Sequence, residues 1–290
     1  RAAPFDVVIV FNLKGPQVAC ARHAMRCLGI PVVLEYEDDR FVSVNGESVR
    51  GVVSAVQRRS AAGVIKRVSG CVGVSPHLLS QVSDNVPKLL LRGVVGDDVV
   101  RAGRDRAGAK KNWVLFSGTH IKSNGVAQLI QAWRDVRHHD WELHITGFGG
   151  LTESLRQMAS GMDRVAFHGL VSRQELVDLM ASARICVNPH ELSLTPGNVF
   201  AFKIIEYLAA GAHVVTTPMG ELEPDVESGI TYMPDNDPHT IARTLNCVIE
   251  SGRWSRGAMQ PVWARYGTNT VSASLDALVC EAVRRTACIG

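Results

Sequence analysis

The 290-residue chain has no Cys-x-x-Cys pair among its seven cysteines, Cys20, Cys27, Cys71, Cys186, Cys247, Cys280 and Cys288. An odd, scattered set gives neither a disulfide framework nor a zinc ribbon, and it fits a reducing compartment, where a thiol in an apolar run behaves as a small hydrophobe. The ten histidines include no His-x-x-x-His, and no paired-carboxylate arrangement stands out, so no metal site is expected. No apolar run approaches the roughly 18 residues of a membrane-spanning helix. Repeats and low-complexity tracts are missing. The net charge of +3 is too small to argue for nucleic acid, though it is compatible with a mildly basic phosphate site or membrane surface. No secretory leader is legible. A buried-strand pattern already runs from Phe5 to Val10, so the chain reads as starting inside a fold, with earlier strands expected before Arg1.

What is present is ordinary for a soluble globular protein: 46% hydrophobic and 20% charged residues, at a length sufficient for two α/β domains or one large one. Strand patterns at Asp6 to Phe11, Pro31 to Tyr36, Cys71 to Val74 and Lys88 to Leu91 alternate with helical patterns at Gln17 to Leu28 and Ser48 to Val68. Such alternation predicts a parallel sheet with helices on both faces. A basic, glycine-containing stretch over 99–111 reads as a linker. The alternation then restarts: strands at Trp113 to Ser117, Trp141 to Thr146, Val165 to His168 and Ile185 to Asn188, and helices at Gly125 to Val136, Leu151 to Ser160 and Ser172 to Ser182. Ser172 and Glu175 are spaced as a capping box. The expected organisation is a first domain over 1–98, a linker over 99–111, a second domain over 112–265, and a helix over 266–290 packing back toward the first domain.

The segment from Asn198 to Pro218 carries the most chemistry. Asn198 can cap a helix. Phe202, Ile205, Leu208 and Ala209 make an apolar face, while Lys203, Glu206 and Ala210 fall on another stripe. Gly211 suits the position after a helix end, and Val214 and Val215 read as a core strand. A helix start attracts anions. With Lys203 for phosphate and Glu206 for a ribose diol, the segment can receive a nucleoside diphosphate. The competing interpretation is a solvated i, i+3 ion pair, worth about 0.2–0.5 kcal/mol.

Ligands of parallel sheets bind beyond the carboxyl ends of the strands. There the sequence places Gly118 to His120, Gly147 to Gly150, Gly169, His190 to Gly197 and Thr216 to Glu223. The GFGG element lacks the later glycine of the dinucleotide fingerprint. In this order, WVLFSGTHIKSNGVAQLIQAW, WELHITGFG, VAFHGLVSRQELVDLMASARICVNP and FKIIEYLAAGAHVVTT resemble the carboxyl-terminal domain of retaining glycosyltransferases of family four, the group 1 glycosyltransferases.

That resemblance implies a GT-B fold, two Rossmann-like domains with parallel sheets facing a cleft, with the amino-terminal domain incomplete. It implies a nucleotide-sugar donor in the second domain, no metal, and a glycan, lipid-linked or small-molecule acceptor. Family members often act at the cytoplasmic membrane face, so the expected location is cytoplasmic with peripheral attachment. By position, Glu206 matches the family's ribose-holding glutamate. Asn198 stands where another glutamate usually contacts the sugar, and an amide there cannot carry charge. Thr119 and Asn124 replace the usual phosphate-binding arginine and lysine, leaving Lys203, Lys122 or amides at Val199, Phe200 and Ala201 to compensate; Lys203 is favoured. Gly118 and Gly147 would border the donor, and Gly169, Leu170 and Val171 the base. His120, His144 and His168 are expected to be packed or solvent-facing. In the first domain Glu37, with Asp38 and Asp39, occupies a position where the family commonly has histidine. These acids position an acceptor hydroxyl or stabilise positive charge growing on the sugar, or else form a solvated acidic turn. A degenerate, non-transferring nucleotide-sugar binder stays open beside the enzyme; a sugar-nucleotide epimerase of the same fold is less favoured.

Overall fold

The computed structural model describes residues 5–37, 52–194, 200–220, 222–252 and 258–287. The chain forms two compact units: Arg1–Gly93 with Asn198–Phe200 and Asn269–Gly290, and Val94–Gly197 with Ala201–Thr268.

The first unit contains β1 (Val8–Phe11), α1 (Gly15–His23), β2 (Val32–Tyr36), α2 (Val52–Ile65), β3 (Gly70–Gly73), α3 (Pro76–Ser80) and β4 (Lys88–Leu90). All pairings are parallel in the order β1-β2-β3-β4. Continuous apolar runs such as VVL in β2 are buried on both faces, as parallel strands require. Val18 and Ala21 of α1 and Ala61 and Val64 of α2 cover one face, with Leu34, Cys71 and Leu78. β1 is an edge strand, and its Ile9 and Phe11 are exposed.

In the second unit the elements are α4 (Asp97–Asp105), β5 (Lys111–Ser117), α5 (Val126–Trp133), β6 (Glu142–Thr146), α6 (Thr152–Met158), β7 (Val165–Gly169), α7 (Arg173–Ser182), β8 (Ala183–Asn188), α8 (Lys203–Ala209), β9 (His213–Thr216), α9 (Pro224–Glu227), β10 (Ile230–Tyr232), α10 (Pro238–Ser251) and α11 (Met259–Tyr266). The six strands are parallel in the order β10-β9-β8-β5-β6-β7. Strand order reverses between β5 and β8, which makes their carboxyl ends the switch point where such sheets bind ligands. A core of Phe116, Leu129, Ile130, Trp133, Leu143 and Ile145 fills one face.

The stretch expected as a linker over 99–111 is instead α4, followed by a turn and the start of β5. Packing overrides the low helix propensity of its glycine. A Cβ on Gly103 would lie 2.5 Å from the Ala209 carbonyl oxygen, so α4 approaches the end of α8 closely. The last helix, α12 (Thr268–Ala287), belongs to the first unit apart from Thr268. Its Leu278 and Ala282 pack on Val33 and Val72, the sheet face that α1 and α2 leave open.

Candidate donor site

The site grows from α8. Ile204 to Ala210 are all buried, so this helix is core on every side. Both flanks of its end are tied: Lys110 Nζ donates to the Ala210 carbonyl at 2.7 Å and Trp263 Nε1 to that of Ala209 at 2.9 Å. Gly211 takes φ +77° and turns the chain into β9. The helix starts at Lys203, so Phe200 and Ala201 precede it rather than form its first turn, correcting the expected start. Asn198 and Val199 lie outside the described residues, as do Asp38 and Asp39.

Lys203 and Glu206 do not pair with each other as a solvated couple; Lys203 reaches the end of β5 and Glu206 the start of α7. Lys203 Nζ extends to the switch point, donates to the Ser117 carbonyl at 3.2 Å and sits 4.6 Å from the Phe116 ring centroid. Burial lowers its pKa to about 8. It makes no ion pair among the described residues. The same strand end is fixed by Tyr207, whose hydroxyl accepts from the Ser117 amide at 2.9 Å and contacts Ser117 Oγ at 2.9 Å.

The loop after β5 follows. A Cβ on Gly118 would come within 3.2 Å of Lys203 Nζ. Asn124 Nδ2 donates to the Thr119 carbonyl at 2.7 Å, closing the turn. Gly125 has φ +67° and a Cβ there would lie 1.8 Å from the Pro189 oxygen, so only glycine joins the loops after β5 and β8. Gly147 is equally constrained, with φ +123° and a Cβ 1.9 Å from the Gly118 oxygen. Lys122 is exposed on a 3₁₀ turn. His190, beyond β8, is pushed down to about 4 by burial, with the Lys203 charge adding, and is neutral at pH 7.

Glu206 is the second arm. Its side chain is 11% exposed, and Oε1 accepts from Arg173 Nη1 at 2.7 Å. Arg173 also grips Asp98, from Nε to Oδ2 at 2.8 Å. Hydrogen bonding to Asp98, reinforced by Glu206, raises the guanidinium's pKa, and the same bond holds the Asp98 carboxyl below its usual range. Arg173 opens α7 directly after Gly169, Leu170 and Val171, and the Ser172–Glu175 capping box sets that helix start. Gly169 takes φ +68° and its carbonyl accepts from Gly147 N at 2.8 Å, while Leu170 is exposed. Sequence reasoning misses Arg173 and Asp98: one reads as part of a helix, the other as the edge of a linker. An arginine at the first position of a helix following a glycine-bearing strand end is the available signal.

Of the three strand-end histidines, two are buried and His168 is exposed. His120 is buried with Nδ1 3.0 Å from Thr152 Oγ1. His144 Nδ1 lies 2.8 Å from His168 Nε2, with Nε2 3.0 Å from Glu142. Glu37 and Phe200 belong to the first unit. Glu37 is exposed just beyond β2, its amide donating to Asn12 Oδ1 at 2.9 Å, and Phe200 lies 5.7 Å from the Arg92 guanidinium carbon. Among the described residues no three His, Cys, Asp or Glu stand together as metal ligands.

Two parallel sheets, the second doubly wound with a cation at its switch point, define a GT-B fold. Solved structures of that fold superpose along nearly the whole chain. HepE of Anabaena in complex with UDP gives a TM-score of 0.71 at 17% identity, over 94% of this chain and 78% of that one. Sucrose-phosphate synthase of Thermosynechococcus elongatus gives 0.72 at 16%, over 94% and 73%. A UDP-forming α,α-trehalose-phosphate synthase of Burkholderia xenovorans gives 0.69 at 12%, over 98% and 75%. No curated protein matches in sequence. Residues 111–251 match the family described as Glycosyl transferases group 1.

Proposed function

We propose that the protein transfers a sugar from a nucleotide-sugar donor to a hydroxyl of a glycan, lipid-linked or small-molecule acceptor, with retention of anomeric configuration. One observation carries this reading: the Lys203 ammonium at the switch point, bonded to a neutral carbonyl and to no carboxylate among the described residues. A cation so placed suits the diphosphate of a donor. Glu206 would accept hydrogen bonds from the ribose, and the backbone from Gly169 to Val171 would border the base. HepE, solved also with UDP-glucose, supports uridine nucleotides as the first probes.

In the step proposed, the acceptor hydroxyl oxygen bonds the anomeric carbon on the face the diphosphate leaves. The bond from that carbon to the phosphate oxygen breaks, its electron pair stays on the phosphate, and the departing phosphate takes the hydroxyl proton. No protein nucleophile is required. Lys203 offsets the charge growing on the leaving group, Asn198 would contact the sugar through its amide, and Glu37 would orient the acceptor. No metal takes part, so turnover should persist in excess EDTA.

The setting proposed is cytoplasmic, serving polysaccharide assembly, with peripheral attachment to an anionic membrane. No helix among the described residues is long and apolar enough to cross one. Attachment is supported by a concavity of about 260 Å³ on the first unit, lined by Arg22, Arg26, Arg59 and Arg67 with Met25 and Val56 and no carboxylate. The testing experiment is calorimetry of the full chain with UDP and UDP-glucose, followed by donor hydrolysis and transfer assays. Glu206→Ala should weaken UDP about tenfold or more; unchanged affinity would refute the assignment. Binding without turnover on any acceptor would leave a nucleotide-sugar binder instead of an enzyme.

A further inference from the structure

A carboxylate that receives a diol must be held in one orientation, and a buried glutamate needs partners that hold it. Glu206 has one such partner. Arg173 gives Nη1 to Oε1 at 2.7 Å, and among the described residues no donor reaches Oε2. An ionised carboxylate offers about four lone-pair sites, so most of its capacity stays open for a ligand. The other nitrogens of the same guanidinium close on Asp98, Nε at 2.8 Å from Oδ2 and Nη2 at 3.4 Å from Oδ1. Asp98 is fixed in turn: Oδ1 accepts from the Val99 amide at 2.9 Å in the first turn of α4, the helix that meets the end of α8 at Gly103. The planar fork of arginine spans two carboxylates in a way one ammonium cannot.

We propose that Arg173, braced by Asp98, is a positioning residue that fixes the Glu206 carboxylate so that its remaining lone pairs meet the 2′- and 3′-hydroxyls of the donor ribose. This rests on the nucleotide-sugar reading. Arg173 itself touches no substrate. Its loss frees the carboxylate to rotate, and the defect is confined to the sugar hydroxyls of the nucleotide.

The test is calorimetry of the full chain with UDP and 2′,3′-dideoxy-UDP, on wild type and on Arg173→Gln, Asp98→Ala and Arg173→Lys. Wild type should favour UDP by about tenfold or more, as two hydrogen bonds to a charged acceptor imply. Arg173→Gln and Asp98→Ala should lose about tenfold for UDP and almost nothing for the dideoxy analogue, so that the preference collapses; Arg173→Lys should restore part of it. Equal losses for both ligands would mean a merely structural role and overturn the inference, as would variants that keep the full preference. A wild type that binds neither ligand, or both alike, overturns the ribose reading itself and this inference with it. Asp98→Ala also removes the bond to the Val99 amide in the first turn of α4, so Arg173→Gln decides the matter if that variant does not fold.

Discussion

At the residue scale the main tension is in Lys203. Its folded pKa of about 8 lies below the ordinary value of 10.5 because burial disfavours the ammonium. Between those two values the unfolded chain holds a proton that the folded chain has released. Stability attributable to this group therefore rises with pH across that window. Nucleotide affinity should move the opposite way, falling as pH climbs through about 8 and the charge is lost, as a pH series of UDP titrations would show. Lys203→Met should weaken UDP by about tenfold or more while leaving the unliganded protein no less resistant to urea. A variant that binds UDP normally would remove this residue from the site. Lys203 and Glu206 are legible from the sequence, but their surroundings are not. The periodicity places both on a stripe away from the core, whereas α8 is buried from Ile204 onward, Lys203 meets the end of β5 and Glu206 the start of α7. Arg173 and Asp98 stay hidden because their meaning lies in a contact across 75 residues of sequence, which no local pattern encodes.

At the element scale, continuous apolar strands and the Ser172–Glu175 capping box are readable because they depend on near neighbours. α4 is not. Its Val99 and Gly103 are buried, and Gly103 serves close packing against α8, a tertiary reason for a residue that locally argues against a helix. The β10 strand also escapes, three residues long at a sheet edge. Gly103→Leu should force α4 from the Ala209 carbonyl and cost about 1–3 kcal/mol, measured by urea denaturation. Because α4 carries Asp98, the same variant should weaken UDP more than the dideoxy analogue. Unchanged stability would show that the two helices part without penalty.

At the scale of the whole molecule, charge is unevenly distributed. Arg22, Arg26, Arg59 and Arg67 line one concavity of the first unit, and another of about 700 Å³ adds Lys66, Arg284 and Arg285 against the single acid Glu281. Replacing the four arginines by glutamine should abolish cosedimentation with phosphatidylglycerol vesicles. Wild-type binding should fade as salt rises, since basic residues near an anionic surface contribute about 1 kcal/mol each at most and are screened within a Debye length. Wild-type protein that ignores such vesicles at low salt would dismiss membrane attachment through this face.

The course of the chain has its own consequence. β1 to β4 are synthesised before the whole of the second unit, yet Val33 and Val72 gain their cover from Leu278 and Ala282, which follow it. On the ribosome, that apolar face has no cover from α12 until the entire second unit has emerged. Truncation of α12 should therefore expose the half that is synthesised earlier, through Val33 and Val72.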